Sequence, residues 1–343
     1  MTFCSKKIKH IIFITVFILV LTGCAQRYDE DYALGLITTC EYKEKTKLYF
    51  YDENLQYQNE KKYSYPNISY EGFCNSLIEE DKLFLLPKGH ADKLDYGKIV
   101  SFSLRDGATK EYDIGRTNIT GFDYEQNKLY VVSNLNGICY FDCYNLETSQ
   151  LSGFEIHNYL VDTVVAGQNG IYGIAVDLEK EEYLLCQIDF DKQSSKELYR
   201  ISAEVCPSYL VQTESSVYFA NANILYEYCL EEQRVEEHYL PHTNAYNLLL
   251  RNEKIYIACT DLYEEKTSYV DVFDISSGQV KELIQIESSI LQMEKSSTKE
   301  DTIYLLTYEK LLEYQMVEGK MKIINSIELP KMEEYYVGGF FLK

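Results

Sequence analysis

A pattern of short, strand-like segments recurs along this 343-residue chain and constrains its fold more than any other feature. The first marker of this pattern is an aromatic or aliphatic residue shortly before a turn. From the second copy onward, this marker returns at intervals of 40 to 45 residues. A second marker, an aliphatic residue followed by an aromatic one, returns at intervals of 38 to 48 residues. Two markers with the same period indicate an array of similar units. The copies of the first marker are Tyr51, Phe102, Tyr144, Ile188, Tyr228, Phe273 and Tyr314.

The clearest unit contains the segment from Tyr269 to Leu283, which has the pattern of a β-hairpin. Its turn is formed by Ser277-Gly278, because glycine readily adopts positive φ angles. Each full unit contains four extended segments separated by turn residues, as in residues 119–156. Four strands in about 40 to 50 residues are typical of a β-propeller blade. The abundance of tyrosine and phenylalanine also favours strands.

The first unit lacks its opening strand, and the end of the chain can supply it. Three segments between residues 33 and 65 match only the second, third and fourth strands of a unit, whereas residues 335–342 follow the last unit. An inner strand from this C-terminal segment would close the ring and remove a free sheet edge. The sequence therefore predicts an all-β, seven-bladed propeller of four-stranded blades, with residues 33–343 as a single domain. Six or eight blades remain alternatives, because the first interval between markers is 51 residues long.

The N-terminal residues have the layout of an export signal. Three lysines precede an apolar run of eleven residues, from Ile11 to Leu21, which is broken only by Thr15. A transmembrane helix needs about 20 apolar residues, so the run is too short to favour a simple membrane anchor. It ends in Leu21-Thr22-Gly23-Cys24, which resembles the lipobox of bacterial lipoproteins.

This resemblance implies a processed and lipidated N-terminus. Residues 1–23 would be the signal peptide, Cys24 would carry fatty acyl chains such as palmitate, and residues 24–32 would form a short tether. Two or more acyl chains hold a protein stably on a membrane. We therefore expect a lipoprotein of the cell envelope that is anchored to the cell membrane on its extracytoplasmic side.

The charge of the chain argues against nucleic acid as a partner. The formal net charge is −21, with 33 basic and 54 acidic residues, and no stripe of lysine and arginine is present. Proteins that bind the phosphate backbone need such a basic surface.

One hairpin carries a recognisable family pattern in Tyr269-Val270, Asp274 and Ser277-Gly278-Gln279-Val280, with a weaker version between Asn145 and Gln150. In these residues the chain resembles bacterial seven-bladed propellers of the YVTN or quinoprotein-like group. The absence of tryptophan excludes the Trp-Asp repeat of WD40 propellers and the tryptophan docking motif of quinone-dependent ones. We therefore expect no cofactor.

The cysteines do not have the spacing of a disulfide framework. Of ten cysteines, Cys4 would leave with the signal peptide and Cys24 would carry lipid, so eight would remain in the folded domain. Cys139 and Cys143 would lie about 13 Å apart on one face of a strand, too far for a bond. The pattern favours buried free thiols, with disulfides as the alternative.

No sequence motif for catalysis or for metal binding is present. The chain lacks a nucleophile elbow, a zinc-protease motif, a phosphate loop, a calcium loop and a C-x-x-C pair. His238 and His242 are four residues apart, but Pro241 and the surrounding loop-like sequence predict solvated loop histidines instead of metal ligands. We therefore expect no metal site, and a non-catalytic function is favoured.

A propeller commonly binds its partners where the loops leading into the inner strands meet the loops that join the second and third strands. Tyrosines in such positions supply contact area at little cost in entropy, and an arginine can hold a carboxylate or phosphate. The alternative is that these tyrosines only cover the ends of blades. The candidate binding residues are Tyr70, His90, Arg116, Asp162, Tyr209, Tyr246 and Tyr335.

Three functions are compatible with these features. The leading hypothesis is a non-catalytic binding or scaffold propeller that recognises a protein, peptide or glycan partner. A hydrolase or lactonase, as some seven-bladed relatives are, would use loop carboxylates together with His90 or Arg116. The third hypothesis is an accessory sensor of an envelope transporter or kinase.

Overall fold

The structure is a seven-bladed β-propeller in which every blade is an antiparallel sheet. It is a computed structural model, and it describes residues 32–40, 43–69, 76–88, 97–201, 206–207, 209–262, 267–330 and 334–343. All regular elements within these ranges are β-strands. No helix in the same ranges is long and apolar enough to cross a membrane.

The first three blades follow one another along the chain. Blade 1 begins with β1 (Leu34–Thr39), β2 (Thr46–Tyr51) and β3 (Tyr57–Tyr63). Blade 2 contains β4 (Ile68–Ser69), β5 (Leu77–Glu79), β6 (Lys82–Pro87), β7 (Lys98–Ser103) and β8 (Thr109–Asp113). Blade 3 contains β9 (Ile119–Glu125), β10 (Lys128–Leu135), β11 (Ile138–Asn145) and β12 (Leu151–Ile156).

The other four blades continue the ring, and the last strand returns to blade 1. Blade 4 contains β13 (Tyr159–Gly167), β14 (Gly170–Asp177), β15 (Glu182–Asp189) and β16 (Ser194–Ile201). Blade 5 contains β17 (Val211–Gln212), β18 (Ser216–Asn221), β19 (Ile224–Cys229) and β20 (Arg234–Tyr239). Blade 6 contains β21 (Ala245–Arg251), β22 (Lys254–Cys259), β23 (Ser268–Asp274) and β24 (Gln279–Ile286). Blade 7 contains β25 (Gln292–Lys295), β26 (Thr302–Leu306), β27 (Lys310–Val317) and β28 (Lys320–Glu328), and β29 (Tyr336–Leu342) completes blade 1.

The predicted ring closure is confirmed. Strand β29 pairs antiparallel with β1, with Leu342 opposite Leu34, and becomes the inner strand of blade 1. Phe341 is fully buried, and it needs the glycine at position 35, because a Cβ there would lie 2.1 Å from the ring. Gln292 joins the closure to blade 7, since its side chain both donates to the carbonyl of Phe340 and accepts from the amide of Phe340, each at 2.8 Å.

The long first interval of the sequence does not hide an additional blade. Blade 2 differs from the others because its inner strand is divided into β4 and β5, which both pair with β6. Residues 70–75 between the two pieces, and residues 89–96 between β6 and β7, lie outside the described part of the chain. The additional length therefore belongs to one irregular blade, and the count of seven is confirmed.

Apolar packing between neighbouring blades forms the core. The buried apolar residues of the described chain divide into seven clusters, each shared by two adjacent blades. The second strand of a blade is covered on both faces, and all five residues of β26 are buried. The outer strand is covered on one face only, so residues of β3 and β20 alternate in exposure. This explains why inner strands have continuous apolar runs in the sequence.

The seven cysteines that the structure describes form no disulfide with one another. Five of them are buried, as predicted, whereas Cys206 is exposed and Cys229 is half-buried. Cys229 differs from the prediction because it is the last residue of β19, where the apolar covering ends.

A carboxylate links the inner strands of blades 3 and 4. Asp123 accepts hydrogen bonds from the amides of Ala166 in β13, at 2.7 Å, and of Tyr124, at 2.8 Å. Burial raises the pKa of Asp123 to about 7, against the opposing effect of these amides. Thr120 forms a second link, because its hydroxyl donates to the carbonyl of Val161 at 3.0 Å.

Asp123 should make the stability of the fold depend on pH. Its pKa is higher in the folded protein than the value of about 4 in an unfolded chain, so the folded state binds more protons between these values. The free energy of unfolding should therefore fall as the pH rises from about 4 to about 7. Urea denaturation at several pH values should show a smaller fall for Asp123→Asn.

A variant at Thr120 separates the pH dependence caused by Asp123 from the loss of a hydrogen bond between the two strands. Thr120→Val removes a hydrogen bond between the same two strands but no titratable group, so it should lower stability by a similar amount at each pH. If Asp123→Asn and the wild type had parallel pH profiles, Asp123 would not be the group responsible.

Candidate binding surface on the top face

The top face is the end of the propeller where the chain enters each inner strand. It is built from the loops that lead into the inner strands and the loops that join the second and third strands. The opposite end is the bottom face. Because the sheets are antiparallel, both kinds of loop lie at the same end of every blade.

A bulge recurs near the top of the inner strands. In blades 1, 3, 4 and 6 the pairing of the inner with the second strand skips one residue at this end. Bulges redirect side chains and are frequent at barrel rims and binding sites. The residues that leave the ladder are Gly338, Thr120, Asp162 and Tyr246. Two of the seven predicted binding residues therefore stand where the backbone releases a side chain from the sheet.

Asp162 places a carboxylate at this position of blade 4. Burial raises the pKa of the group, since the neighbouring strands exclude water from it. The Sγ atom of Cys206 lies 4.0 Å from Oδ2. The carboxylate would gain from a partner that offers a hydrogen-bond donor or a positive charge.

Tyr209 and Tyr246 meet on the top face. Their ring centroids are 6.5 Å apart and the ring planes are inclined by 83°, an edge-to-face contact. Both side chains are half-buried, and the contact joins the start of blade 5 to the start of blade 6. The structure therefore brings together two of the predicted tyrosines, each with part of its surface accessible.

Arg116 has an internal partner. It donates two hydrogen bonds to the buried carboxylate of Asp142, at 2.8 and 3.3 Å, and its guanidinium stacks on Tyr140 at 4.2 Å. The hydrogen bonds to Asp142 raise the pKa of Arg116. Gly153 makes room for the pair, because a Cβ there would lie 2.2 Å from Oδ1 of Asp142. A ligand carboxylate or phosphate would have to compete with this ion pair.

Tyr335 is the one remaining predicted binding residue that lies within the described ranges. Tyr335 is half-buried and stacks with the ammonium group of Lys47, which lies 4.8 Å from the ring centroid. Tyr70 and His90 lie outside the described residues, as does Cys24. Their predicted roles stay predictions.

Sequence reasoning missed an apolar rim on the top face. Nine large apolar side chains of the described chain are exposed, and five of them lie at this end of the blades. Their exposed fractions range from 38% to 67%. Each stands in or beside a loop of the top face, where the β-ladder does not require an apolar residue, and this is the signal that could have revealed them. The rim consists of Leu135, Leu178, Tyr239, Tyr308 and Tyr336.

The prediction that both histidines are solvated loop residues is wrong. His242 stacks on Tyr269 at 3.5 Å, and its Nδ1 lies 2.9 Å from Oδ1 of the fully buried Asp271. His238 lies within β20, with its Nε2 2.9 Å from Oε2 of Glu227. The loop-like residues after position 239 obscured a strand that places His238 between two blades.

Blades 3 and 6 hold their top loops in the same way. In each blade, a basic residue three positions before the inner strand contacts an aspartate of the third strand. The same basic residue stacks on a tyrosine that lies two residues before this aspartate. The residues are Arg116, Asp142 and Tyr140 in blade 3, and His242, Asp271 and Tyr269 in blade 6. This shared contact ties a top-face loop to the third strand of its own blade.

Solved structures are similar to this chain in fold. A protein of unknown function from Desulfotomaculum acetoxidans is 14% identical, with a TM-score of 0.60 over 90% of this chain and 98% of that chain. The extracellular domain of a proposed one-component system from B. thetaiotaomicron is 12% identical, with a TM-score of 0.52 over 80% of this chain and 37% of that chain. A proposed 6-phosphogluconolactonase from Bacteroides fragilis is 10% identical, with a TM-score of 0.55 over 92% of this chain and 99% of that chain.

At these identities the similarity shows the fold alone. No protein-family model matches the chain, and no curated protein sequence is significantly similar to it. The seven-bladed propeller fold that the resemblance implied is therefore confirmed, whereas membership of the YVTN-like group stays a prediction. The hydrolase and sensor hypotheses stay predictions.

Replacing Arg116 should destabilise the fold through its buried partner. Arg116→Ala leaves the Asp142 carboxylate, whose side chain is 3% exposed, without its counter-charge. Because the Arg116 side chain is 35% exposed, we expect a loss of about 2 to 3 kcal/mol in the free energy of unfolding, less than for a fully buried pair. Urea denaturation measures this loss.

Arg234→Ala is the matched control, because the side chains of its partners Glu232 and Glu236 are 56% and 38% exposed, far more than that of Asp142. Its loss should stay below about 1 kcal/mol. Equal losses in the free energy of unfolding would show that the burial of Asp142 does not increase the contribution of its ion pair to stability.

Proposed function

We propose that this protein is a lipid-anchored binding propeller on the extracytoplasmic side of the cell membrane, and that its top face recognises a protein, peptide or glycan partner. The observation that carries the proposal is the apolar rim. Five of the nine exposed large apolar side chains of the described chain lie at this one face, and exposed apolar surface commonly marks an interaction site. The rim, the Tyr209 and Tyr246 contact and the Asp162 carboxylate share one face.

The composition of this face suits recognition of a chemically mixed partner. Tyrosines offer a large apolar surface together with a hydroxyl group, which serves both peptides and sugars. Asp162 adds an acceptor whose burial favours a contact with a donor. The partner should therefore combine apolar or ring surfaces with hydrogen-bond donors.

The point where the chain joins the propeller is consistent with an anchor at Cys24. Tyr32 is buried between blades 1 and 2, and its hydroxyl donates to the carbonyl of Leu104 at 2.8 Å. Leu104 follows β7 and precedes β8, so Tyr32 lies at the bottom face. The eight residues 25–32 that follow Cys24 can span no more than about 30 Å. The bottom face would then lie near the bilayer, and the top face would point towards partners.

The anchor has a direct test. Cys24→Ser should abolish incorporation of labelled palmitate and move the protein from the membrane fraction to the soluble fraction, because no acyl chain would remain. Cys206→Ser is the control, since Cys206 is an exposed cysteine of the folded domain and should not carry the label. Unchanged fractionation of Cys24→Ser would contradict the anchor.

The rim can be tested with charge substitutions. Leu135→Glu/Leu178→Glu should reduce recovery of specific envelope partners, or binding to a glycan array, by at least about tenfold, because buried charges oppose an apolar interface. The protein used would lack the signal peptide and Cys24. Quantitative mass spectrometry of captured proteins and array fluorescence give the two measurements.

Ile323→Glu/Ile324→Glu provides the matched control. These residues lie on the outer strand β28 and are as exposed as the rim, at 53% and 46%. This variant should bind like the wild type. Equal binding by rim and control variants would contradict a role for the rim.

A further inference from the structure

The outer hairpin of blade 5 collects metal-ligating side chains on one face. Glu227 of β19 stands directly opposite Glu236 of β20, and His238 follows Glu236 by two residues. In a strand, residues two apart point to the same side, and directly opposed residues of a pair share a face. The antiparallel pair therefore directs Glu227, Glu236 and His238 to one point.

The distances suit a common ion. One ring nitrogen of His238 and one carboxylate oxygen from each glutamate all lie within 4.8 Å of one another. Ligands that share a zinc-like ion at about 2.0 to 2.2 Å stand roughly 3.4 Å apart in a tetrahedral arrangement. Small rotations of the side chains would bring the three atoms to this spacing. All three residues are half-buried, so the group is partly shielded from water.

Neighbouring residues hold the ligands in place. The hydroxyls of Ser216 and Tyr218 both donate to Oε1 of Glu227 at 2.8 Å, and its Oε2 faces His238. The His238 ring packs on Phe273 of blade 6, with centroids 4.5 Å apart. Outer partners of this kind orient the ligands in protein metal sites.

The two glutamates are unfavourable neighbours in the absence of a cation. Like charges placed directly opposite each other destabilise a sheet. Arg234 contacts Oε1 of Glu236 at 2.5 Å, but one guanidinium does not balance the charges of the two carboxylates. A divalent cation would neutralise both carboxylates at once.

The donor set selects the type of metal. A second group lies next to the first and has Glu236 in common with it. In this group, ligand atoms of Cys229, Glu232 and Glu236 lie within 4.8 Å of one another. Nitrogen, carboxylate and thiolate donors suit zinc, whereas calcium takes six to eight oxygens. We propose that Glu227, Glu236 and His238 bind a divalent zinc-like ion.

This site lies at the periphery of the ring, on the two outer strands of blade 5. The ion would join β19 to β20, and through His238 and Phe273 it would strengthen the contact between blades 5 and 6. Since an ion that binds only the folded state stabilises it, zinc should raise the melting temperature. His242 does not supply a comparable site, because its two ring nitrogens contact different carboxylates, Asp271 and Glu282.

The test is zinc binding by the full chain after removal of metal with a chelator. Zinc chloride is titrated in competition with a chromogenic chelator, and the melting temperature is followed with and without zinc. The wild type should bind one equivalent and melt at a higher temperature, and a chelator should reverse the shift. His238→Gln and the more exposed Glu236→Gln should each weaken binding at least about tenfold.

His242→Gln is the matched control, because both histidines are half-buried and pair with carboxylates. It should bind zinc like the wild type and show the same zinc-dependent shift. The proposal is overturned if the wild type takes up no equivalent of zinc, if both His238→Gln and Glu236→Gln bind like the wild type, or if His242→Gln loses as much affinity as His238→Gln. Saturation by calcium in preference to zinc would also overturn it.

Discussion

Packing of apolar residues between blades is the interaction on which the structure depends. No blade can cover its own second strand, since residues on both faces of that strand are buried only when neighbours stand on either side, as for β26. Fully burying a large apolar side chain contributes about 1.5 to 3 kcal/mol, and each of the seven interfaces contains many. The requirement is cyclic, so the first blade must meet the last. Strand β29 meets it by placing Phe340 in the cluster between blades 1 and 7.

Buried and half-buried carboxylates add specificity to this apolar packing. They recur on the third strands, where Asp142 and Asp271 accept from basic residues of the top loops, and Glu227 and Glu313 accept from a tyrosine of the second strand. A charge without a partner between two blades would be strongly unfavourable. Each carboxylate therefore favours only a packing of the strands that places its hydrogen-bond donor beside it. The interfaces consequently differ in chemistry although the blades share a shape. This difference allows a single blade to hold a metal-ligating group while its neighbours hold ion pairs.

The repeat predicted the architecture because it averages over many copies, whereas the site depends on single residues. Period, strand number and closure by residues 335–342 all followed from patterns shared between blades. The partner of Arg116 could not be predicted from these patterns. Asp142 lies on the third strand, and only the folded blade brings it close to Arg116. Four blades share a bulge, but the carboxylate that it releases at Asp162 and the strand position of His238 are single-residue departures from the repeat. Such departures carry the candidate functional groups.

Ring closure also decides where an N-terminal anchor can emerge. Because β29 is the inner strand of blade 1, β1 is its second strand and runs from the bottom face to the top face. A propeller whose first strand were the inner one would receive its N-terminal tether at the top face, beside the loops proposed here for recognition. If Cys24 carries lipid as we propose, the C-terminal closure keeps the apolar rim away from the bilayer. The mode of closure thus links the stability of the ring to the accessibility of its proposed binding surface.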